Sequence, residues 1–427
     1  MRLNEIFETH ESAVRAYCRD FSAVFVKAQG TRLWDERGHE YLDFFSGAGA
    51  LNYGHNPGTI KRRLLEYVAA DGITHSLDLY TEAKARFLEA LDQIILKPRN
   101  LRYVVQFTGP TGTNSVEAAL KLARKITGRT TIIAFTNSFH GMSLGSLSVT
   151  ASAFKRAAAG IPLIEALHMP FDGYFGDTVD TAAYIEKLLD DPGSGIALPA
   201  AFIVETIQAE GGINVASIQW LQRLRRIASE RGVLLIVDDI QTGCGRTGPF
   251  FSFEEAALYP DMVCLSKSIS GYGLPLALLL IRPELDKWSP GEHNGTFRGN
   301  NLAFVTATAA LNFWIDQRFE HEIMRKGHLM RAELARICGN SAEIKGRGML
   351  VGLAWADRQT AKAVSLGAFD KGLIAETCGQ YQHVLKLIPP LTITDEDLMA
   401  GLNILADTIK DVRQANGKSP VPAMSVA

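Results

Sequence analysis

The sequence lacks the features that mark several large classes of protein. Its 44 Lys and Arg against 46 Asp and Glu give a formal net charge of −2, so no charge excess draws it to nucleic acid or to an anionic membrane. The longest apolar stretch, residues 274–281, is far too short to span a bilayer. Residues 1–10 carry Glu5 and Glu8 and lack the basic start and apolar centre of a signal peptide. We therefore expect a cytoplasmic protein that binds neither membranes nor nucleic acids.

Cysteines are few and show no pairing pattern. There are five, an odd number, at scattered positions and without a C-x-x-C pair: Cys18, Cys244, Cys264, Cys338 and Cys378. This argues against a disulfide framework and against a zinc site. We expect reduced cysteines packed as small apolar residues, and no metal.

The remaining composition is that of a globular protein with a large core. Hydrophobic residues make up 47% of the 427 positions and charged residues 21%. At about 150 residues per domain, the length suggests two or three domains.

From about residue 60, amphipathic stretches alternate with short apolar runs. The stretches cover residues 60–70, 81–96, 114–126 and 218–230, and the runs cover 103–107, 131–135, 202–204, 233–237 and 262–265. The runs are rich in Val, Ile and Leu without clear alternation, as expected for strands covered by helices on both faces. The pattern predicts an α/β domain with a mainly parallel central sheet.

The two chain ends have a different pattern. Strand candidates at 31–33 and 41–45 flank a turn-forming stretch and predict a hairpin. After about residue 325 come a helix, strands at 343–345 and 349–355, a helix at 359–371, a strand at 384–387 and a last helix from Asp395. We predict a large domain over 60–325, a small α+β domain built from 1–59 and 326–416, and a flexible tail over 417–427.

Polar residues follow several of the predicted strands, at the sheet edge where open α/β sheets bind ligands. The loop Phe107-Thr-Gly-Pro-Thr-Gly-Thr113 leads into a helix and suits a phosphate, although a capped turn would look alike. Asp238 ends one apolar run, and Lys267 follows another. A capping aspartate and a solvated loop lysine are the simpler interpretations of these two residues taken singly.

Taken together, these residues meet the needs of one cofactor. Pyridoxal 5′-phosphate has a phosphate for the loop, a ring nitrogen for an acid and an aldehyde for an amine nucleophile. Phe139, after the second strand, adds an aromatic ring that can stack on the pyridine, although it could equally fill the core.

From about residue 21 to residue 411, the sequence resembles the class III aminotransferases of the fold-type I pyridoxal-phosphate superfamily. The motifs stand in the family's order: Thr111-Gly-Thr-Asn-Ser-Val-Glu117, Lys121-Leu-Ala-Arg124, Phe139-His-Gly141, Glu205-Thr-Ile-Gln-Ala-Glu-Gly-Gly212, Asp238-Asp-Ile-Gln-Thr-Gly-Cys-Gly-Arg-Thr-Gly248, Ser266-Lys267 and Thr296-Phe-Arg-Gly-Asn300. The set is specific, whereas each motif alone is weak.

The resemblance implies a role for each matched residue. Lys267 would be the Schiff-base lysine and proton shuttle, and Asp238 would keep the pyridine nitrogen protonated. The other implied cofactor contacts are Gly112 and Thr113 at the phosphate, Phe139 on the ring, Gln241 at the ring hydroxyl, Glu205, and Thr296 at the phosphate of the other subunit's cofactor. The last contact implies a homodimer with shared active sites, which could pair into a tetramer.

Within the family, the segments 17–21, 44–55 and 266–277 are most similar to members that use L-glutamate to aminate the terminal aldehyde of L-aspartate 4-semialdehyde. Their products are L-2,4-diaminobutyrate and 2-oxoglutarate. The chain has Lys386 where ornithine-type members have an arginine, and Ala48 where they have an aromatic substrate contact. Glu210 takes the position of the family's gating glutamate and would neutralise Lys386 when no substrate carboxylate is there.

Other activities stay open at this point. The amine donor could be ornithine, 4-aminobutyrate or putrescine. A semialdehyde aminomutase would need no 2-oxoglutarate, and a non-enzymatic binding module on the same fold is a third class.

Overall fold

The computed structural model describes residues 3–163, 165–176 and 178–418. The helices are α1 (Leu3–His10), α2 (Tyr17–Asp20), α3 (Ser46–Gly49), α4 (Gly58–Ala69), α5 (Glu82–Ala90), α6 (Gly112–Thr127), α7 (Leu144–Ser148), α8 (Ala153–Ala157), α9 (Thr181–Asp190), α10 (Ile218–Glu230), α11 (Asn301–Leu311), α12 (Arg318–Cys338), α13 (Thr360–Asp370) and α14 (Asp395–Lys418). A π-helical turn, Leu91–Leu96, continues α5.

The strands are β1 (Phe25–Gln29), β2 (Arg32–Asp35), β3 (Glu40–Asp43), β4 (Val104–Gly109), β5 (Ile132–Phe135), β6 (Ala166–Met169), β7 (Ala201–Val204), β8 (Ile207–Gln208), β9 (Asn214–Val215), β10 (Leu234–Asp238), β11 (Met262–Leu265), β12 (Ala277–Ile281), β13 (Glu343–Arg347), β14 (Leu350–Ala354), β15 (Leu373–Ile374), β16 (Glu376–Cys378) and β17 (Val384–Leu387).

A seven-stranded sheet, in the order β4-β12-β11-β10-β7-β5-β6, forms the centre of the fold. Its strand pairs are parallel except those of β12, which is antiparallel to both β11 and β4. The prediction of an α/β fold with a mainly parallel sheet is confirmed. The apolar run at 274–281, which is too short to span a membrane, contains the strand β12. The pattern also gave no sign of β6.

The central strands are buried because helices cover both faces of the sheet. Every residue of β5, β7, β10, β11 and β12 is buried. Within β10, Ile236 belongs to the core that contains the apolar face of α6, whereas Leu235 and Val237 belong to the core that contains α10. This division explains why these runs show no alternation of polar and apolar residues.

The helix α10 illustrates how the pattern sets an element's bounds. It covers the predicted residues 218–230 and buries an apolar stripe that includes Trp220 and Leu224. Ser217 precedes it, and its side chain accepts a hydrogen bond from the amide of Trp220 at 3.2 Å. The helix after the central domain begins earlier than expected, at Arg318.

Two smaller sheets come from the chain ends. The predicted hairpin is β2 and β3, which pair antiparallel, and β1 and β15 extend it to four strands. Because β15 pairs with β3 through Leu373 and Leu42, it joins the end of the chain to its beginning. The second sheet has the order β13-β14-β17-β16. The predicted tail over 417–427 lies outside the described residues from position 419 onward.

Within the described ranges, no helix is long and apolar enough to cross a membrane. The five cysteines are free, and all but Cys18 are buried. The same residues contain no group of three or more His, Cys, Asp or Glu side chains that could hold a metal ion.

Candidate active site

A cavity of about 380 Å³ lies at the carboxyl edge of the central sheet. With the exception of Thr296, the residues expected to contact the cofactor line it: Gly112, Thr113, Phe139, Glu205, Asp238, Gln241 and Lys267. Glu210 lines it as well. The loops that follow β4, β5, β7, β10 and β11 therefore bring the predicted residues to one place.

An anion cradle forms where β4 leads into α6. The amide of Thr111 donates to the side-chain oxygen of Asn114 at 3.2 Å, which fixes the first turn of α6. A Cβ at Gly112 would lie 2.8 Å from Ile240 Cδ1, so a larger residue would not fit there without a shift. The Thr113 hydroxyl lies beside them, 2.6 Å from Ser143 Oγ. Backbone amides at a helix N-terminus with an adjacent hydroxyl suit a phosphate.

The acid at the end of β10 is oriented by a histidine. Asp238 Oδ2 lies 2.7 Å from Nδ1 of His140, and Oδ1 accepts a hydrogen bond from the amide of Ile240 at 3.2 Å. Both side chains are buried. With Nδ1 as the donor, this hydrogen bond orients the side chain of Asp238 at the edge of the cavity.

Glu205 holds the backbone that carries the aromatic ring of Phe139. Its Oε2 atom accepts a hydrogen bond from the amide of Phe139 at 3.0 Å. Burial, together with the nearby carboxylate of Asp238, raises the pKa of Glu205 well above its usual range. The ring of Phe139 in turn carries the ammonium of Lys155, which lies 4.1 Å from the ring centroid.

The backbone around Lys267 is strained and aims its amine into the cavity. Lys267 has φ +51° and begins the 3₁₀ turn Lys267–Ser270. Its Nζ donates to the carbonyl of Ala48 at 2.9 Å, and Ala48 itself lies in a left-handed turn with φ +55°. The Ser268 hydroxyl ties the two turns together through Gly49 O at 2.7 Å. Burial lowers the pKa of Lys267 to about 8, so at neutral pH a fraction of the molecules carry Lys267 as a neutral, nucleophilic amine.

Next to Lys267, one ammonium is shared by two carboxylates. Lys386 is fully buried, and its Nζ lies 2.5 Å from Oε1 of Glu210 and 2.9 Å from Oε1 of Glu376. Gln241 Nε2 donates to the same Glu210 oxygen at 3.1 Å and to Ala48 O at 2.8 Å. Gln241 thereby connects this cluster to the carbonyl that holds Lys267.

Lys386, Glu210 and Glu376 shift one another's pKa values in different directions. Burial disfavours the charged form of each, but the two carboxylates raise the pKa of Lys386 well above its usual range. Although burial opposes it, Lys386 lowers the pKa of Glu210 to about 2. Burial raises the pKa of Glu376 to about 7 in spite of the same lysine. Glu376 is therefore the carboxylate of this cluster that takes up a proton most readily.

Thr296 lies apart from this cavity. It is exposed, and its carbonyl accepts a hydrogen bond from His75 Nε2 at 3.0 Å. The expected contact of Thr296 with a second subunit's cofactor stays a prediction.

A family model described as aminotransferase class-III matches residues 15–409. The chain belongs to the class III aminotransferases.

Relatives with curated names are similar over most of this class III aminotransferase. The diaminobutyrate–2-oxoglutarate transaminase of Halalkalibacterium halodurans is 57% identical over 409 residues, which are 95% of this chain and 96% of the relative. The protein of that name from Streptomyces anulatus is also 57% identical, over 95% of this chain and 97% of its own.

Solved aminotransferases share the fold. The ornithine aminotransferase of Toxoplasma gondii, crystallised in the presence of oxidised glutathione, superposes with a TM-score of 0.84 at 27% identity. The match covers 97% of this chain and 95% of that one. A transaminase from the marine bacterium Virgibacillus reaches a TM-score of 0.87 at 22% identity and shows the fold alone.

Three contributors to the site of this aminotransferase were missed from the sequence. His140 stands in the motif Phe139-His-Gly141, but the sequence does not show that it contacts Asp238. Only the expectation that a buried aspartate needs a hydrogen-bond partner could have indicated it. No sequence pattern indicated Glu376, because its contact with Lys386 depends on strand register. The Ala48 carbonyl is a backbone group and leaves no mark in a residue pattern.

Proposed function

We propose that this chain transfers the amino group of L-glutamate to the terminal aldehyde of L-aspartate 4-semialdehyde, giving L-2,4-diaminobutyrate and 2-oxoglutarate. The observation that carries the proposal is the buried Lys386 paired with Glu210, which lines the same cavity as the Lys267 amine. Such a pair can present either a cation or a neutralised site to successive substrates. The relatives named diaminobutyrate–2-oxoglutarate transaminase, with 54–57% identity, support this choice of substrates.

The cofactor proposed for the cavity is pyridoxal 5′-phosphate. The glycine at position 112, the N-terminus of α6 and the Thr113 hydroxyl fit a phosphate, while Asp238 and the Phe139 ring fit a protonated pyridine. The Toxoplasma gondii neighbour is described with this cofactor, partly occupied, at its active site. When bound, pyridoxal phosphate acts as an electron sink for the carbon that gains or loses the amino group.

The chain's own residues would then hold and move charge around the ring. Asp238, oriented by its hydrogen bond with His140, would stabilise a proton on the pyridine nitrogen. Phe139 would cover one face of the ring and exclude water from it. Lys267 would carry the proton at Nζ to and from the substrate's reacting carbon, a role that its lowered pKa of about 8 favours.

The two substrates place different demands on Lys386. Glutamate reacts at its α-carbon, so a carboxylate adjoins the reacting atom and can bind the Lys386 ammonium once Glu210 turns away. The semialdehyde reacts at its terminal carbon, which carries no carboxylate, and there Glu210 would keep Lys386 neutralised. The reaction would thus proceed in two separate halves, with Glu210 as the gate between them.

We further propose a homodimer with shared active sites. Thr296 and its neighbour Phe297 lie on an exposed loop, and Phe297 is 66% exposed, which fits a surface covered by a second copy. Sedimentation of the purified protein distinguishes monomer, dimer and tetramer.

The domain division is proposed as predicted, with residues 60–325 as the large domain and 1–59 with 326–416 as the small one. The pairing of β15 with β3 supports a small domain shared by both chain ends. We also propose a cytoplasmic location, because free thiols persist in reducing compartments.

An amine-donor panel tests the activity. With 2-oxoglutarate as acceptor, glutamate formation should be fastest from L-2,4-diaminobutyrate and slower from ornithine, 4-aminobutyrate and putrescine. A faster rate from one of the other donors would overturn the substrate assignment. Turnover of an amino-aldehyde without any 2-oxoglutarate would instead show an aminomutase.

A further inference from the structure

Glu376 faces Lys386 because of the strand register. In the antiparallel pair of β16 and β17, Glu376 lies directly opposite Lys386, and on the other side Lys386 pairs with Gly352, which adds no charge. Glu376 is 6% exposed. The geometry therefore assigns a second, buried carboxylate to the ammonium that the proposed reaction uses.

The two carboxylates are held differently. Glu210 Oε1 accepts hydrogen bonds from both Lys386 and Gln241. Glu376 Oε1 lies 2.9 Å from Lys386 Nζ but outside hydrogen-bonding angles, and no other described group donates to it. Glu376 is the more weakly fixed partner and is free to take a proton on that oxygen.

A third carboxylate would overcharge this cluster. Above pH 7, where Glu376 is ionised, Lys386, Glu210 and Glu376 together already carry one excess negative charge. A substrate carboxylate that displaces Glu210 from Lys386 raises the excess to two, because Glu210, after turning away from Lys386, would still belong to the lining of the same cavity. The other titratable groups that act on Glu376 or share its surroundings are Lys267, Lys155, Tyr17 and Cys378. Lys267 is occupied in the reaction, so a proton is the readiest compensation.

We propose that Glu376 is a specificity-determining residue, which takes one proton from solvent when a dicarboxylate substrate binds at Lys386 and releases it when Glu210 returns. The inference rests on the proposed function. No covalent bond changes in this step, since the proton passes from water or buffer to a Glu376 oxygen and back. The semialdehyde leaves Glu210 in place and requires no such proton.

This coupling gives dicarboxylate binding its own pH dependence. Burial raises the pKa of Glu376 to about 7, so Glu376 loses its proton when the pH rises above that value. If the bound state needs the protonated form, affinity for a dicarboxylate falls about tenfold per pH unit above that value. Between pH 7 and pH 8.5 the loss is about 15-fold.

Calorimetric titration of the holoenzyme with glutarate tests the proposal without chemistry, since glutarate has two carboxylates and no reacting group. At pH 8.5, titrations in two buffers of different ionisation enthalpy should show uptake of close to one proton per glutarate. Glu376→Gln should abolish the uptake and flatten the pH dependence, while Glu376→Asp should retain both. Glu343→Gln, an exposed glutamate in the same sheet, is the matched control and should behave as the unchanged protein.

Uptake that persists in Glu376→Gln, or its absence from the unchanged protein, overturns the role of Glu376. Turnover of glutamate with the semialdehyde, measured on the same preparations, keeps this result separate from the proposed function. Normal turnover without proton uptake contradicts only the inference about Glu376. Absence of turnover in the unchanged protein contradicts the proposed function itself.

Discussion

Replacing Glu210 with alanine leaves the buried Lys386 ammonium with one carboxylate in place of two. The variant should still fold, because Glu376 remains 2.9 Å from Lys386 Nζ and the ammonium is not left without a partner. What is lost is a charge-assisted contact at 2.5 Å, of a kind that contributes about 1.5–3 kcal/mol.

This contribution should appear in only one half of the reaction. In the semialdehyde half, Lys386 would lack the carboxylate on its cavity side, although Glu376 remains behind it, and would draw the substrate's carboxylate towards the reacting centre, in the wrong orientation. A loss of about 1.5–3 kcal/mol corresponds to a rate constant lower by roughly 10- to 150-fold. In the glutamate half, Glu210 has already turned away, so the rate should change by less than about threefold.

Stopped-flow absorbance of the bound cofactor follows each half separately, with L-glutamate in one experiment and L-2,4-diaminobutyrate in the other. Glu210→Gln is the informative companion, since it keeps a polar side chain for Gln241 but cannot neutralise Lys386, and it should show the same one-sided loss. Equal losses in both halves would refute the gate.

Three further predictions concern the lysines. Lys267→Ala should remove the visible absorption band of the bound cofactor, and a surviving band would mean that another residue holds it. Because burial lowers the pKa of Lys267 from that of an ordinary lysine to about 8, loading of the cofactor onto cofactor-free protein should accelerate about tenfold per pH unit below that value and level off above it; a flat profile would contradict this environment. Lys386→Met should destabilise the fold by about 3–5 kcal/mol in urea unfolding at pH 8, since Glu210 and Glu376 would be left without their cation. The loss should shrink at pH 5, because the pKa of Glu376 is raised to about 7 and its protonation below that pH removes one of the uncompensated charges. An equal loss at both pH values would argue against a buried charge cluster.

Much of the cofactor site could be predicted from the order of residues along the chain, because a geometric rule applies to parallel sheets. Apolar runs such as Met262–Leu265 become parallel strands, and residues after parallel strands meet at one sheet edge. Asp238 and Lys267 could therefore be placed in one crevice before any distance was known. The resemblance to class III aminotransferases then gave these positions their expected roles.

Strand direction and pairing were beyond the reach of the pattern. The run that forms β12 is as uniformly apolar as the runs that form the parallel strands of the sheet, although β12 is antiparallel to both of its neighbours. Burial on both faces removes the alternation that would mark a strand's orientation. The edge strand β6, short and partly exposed, gave no signal at all.

The sequence by itself determined the fold class, the family and most of the residues that line the cavity, because these depend on local hydrophobic patterns and on motifs at strand ends. Only the tertiary structure decided which charges meet. Glu376 and Lys386 are paired by register across a short hairpin, Glu210 reaches them from the loop between β8 and β9, and His140 meets Asp238 across two strand ends. The contacts of Glu210 and of His140 join chain positions far apart in sequence, that of Glu376 depends on strand register, and the burial that shifts the pKa values of Glu210 and Glu376 exists only once the chain is folded.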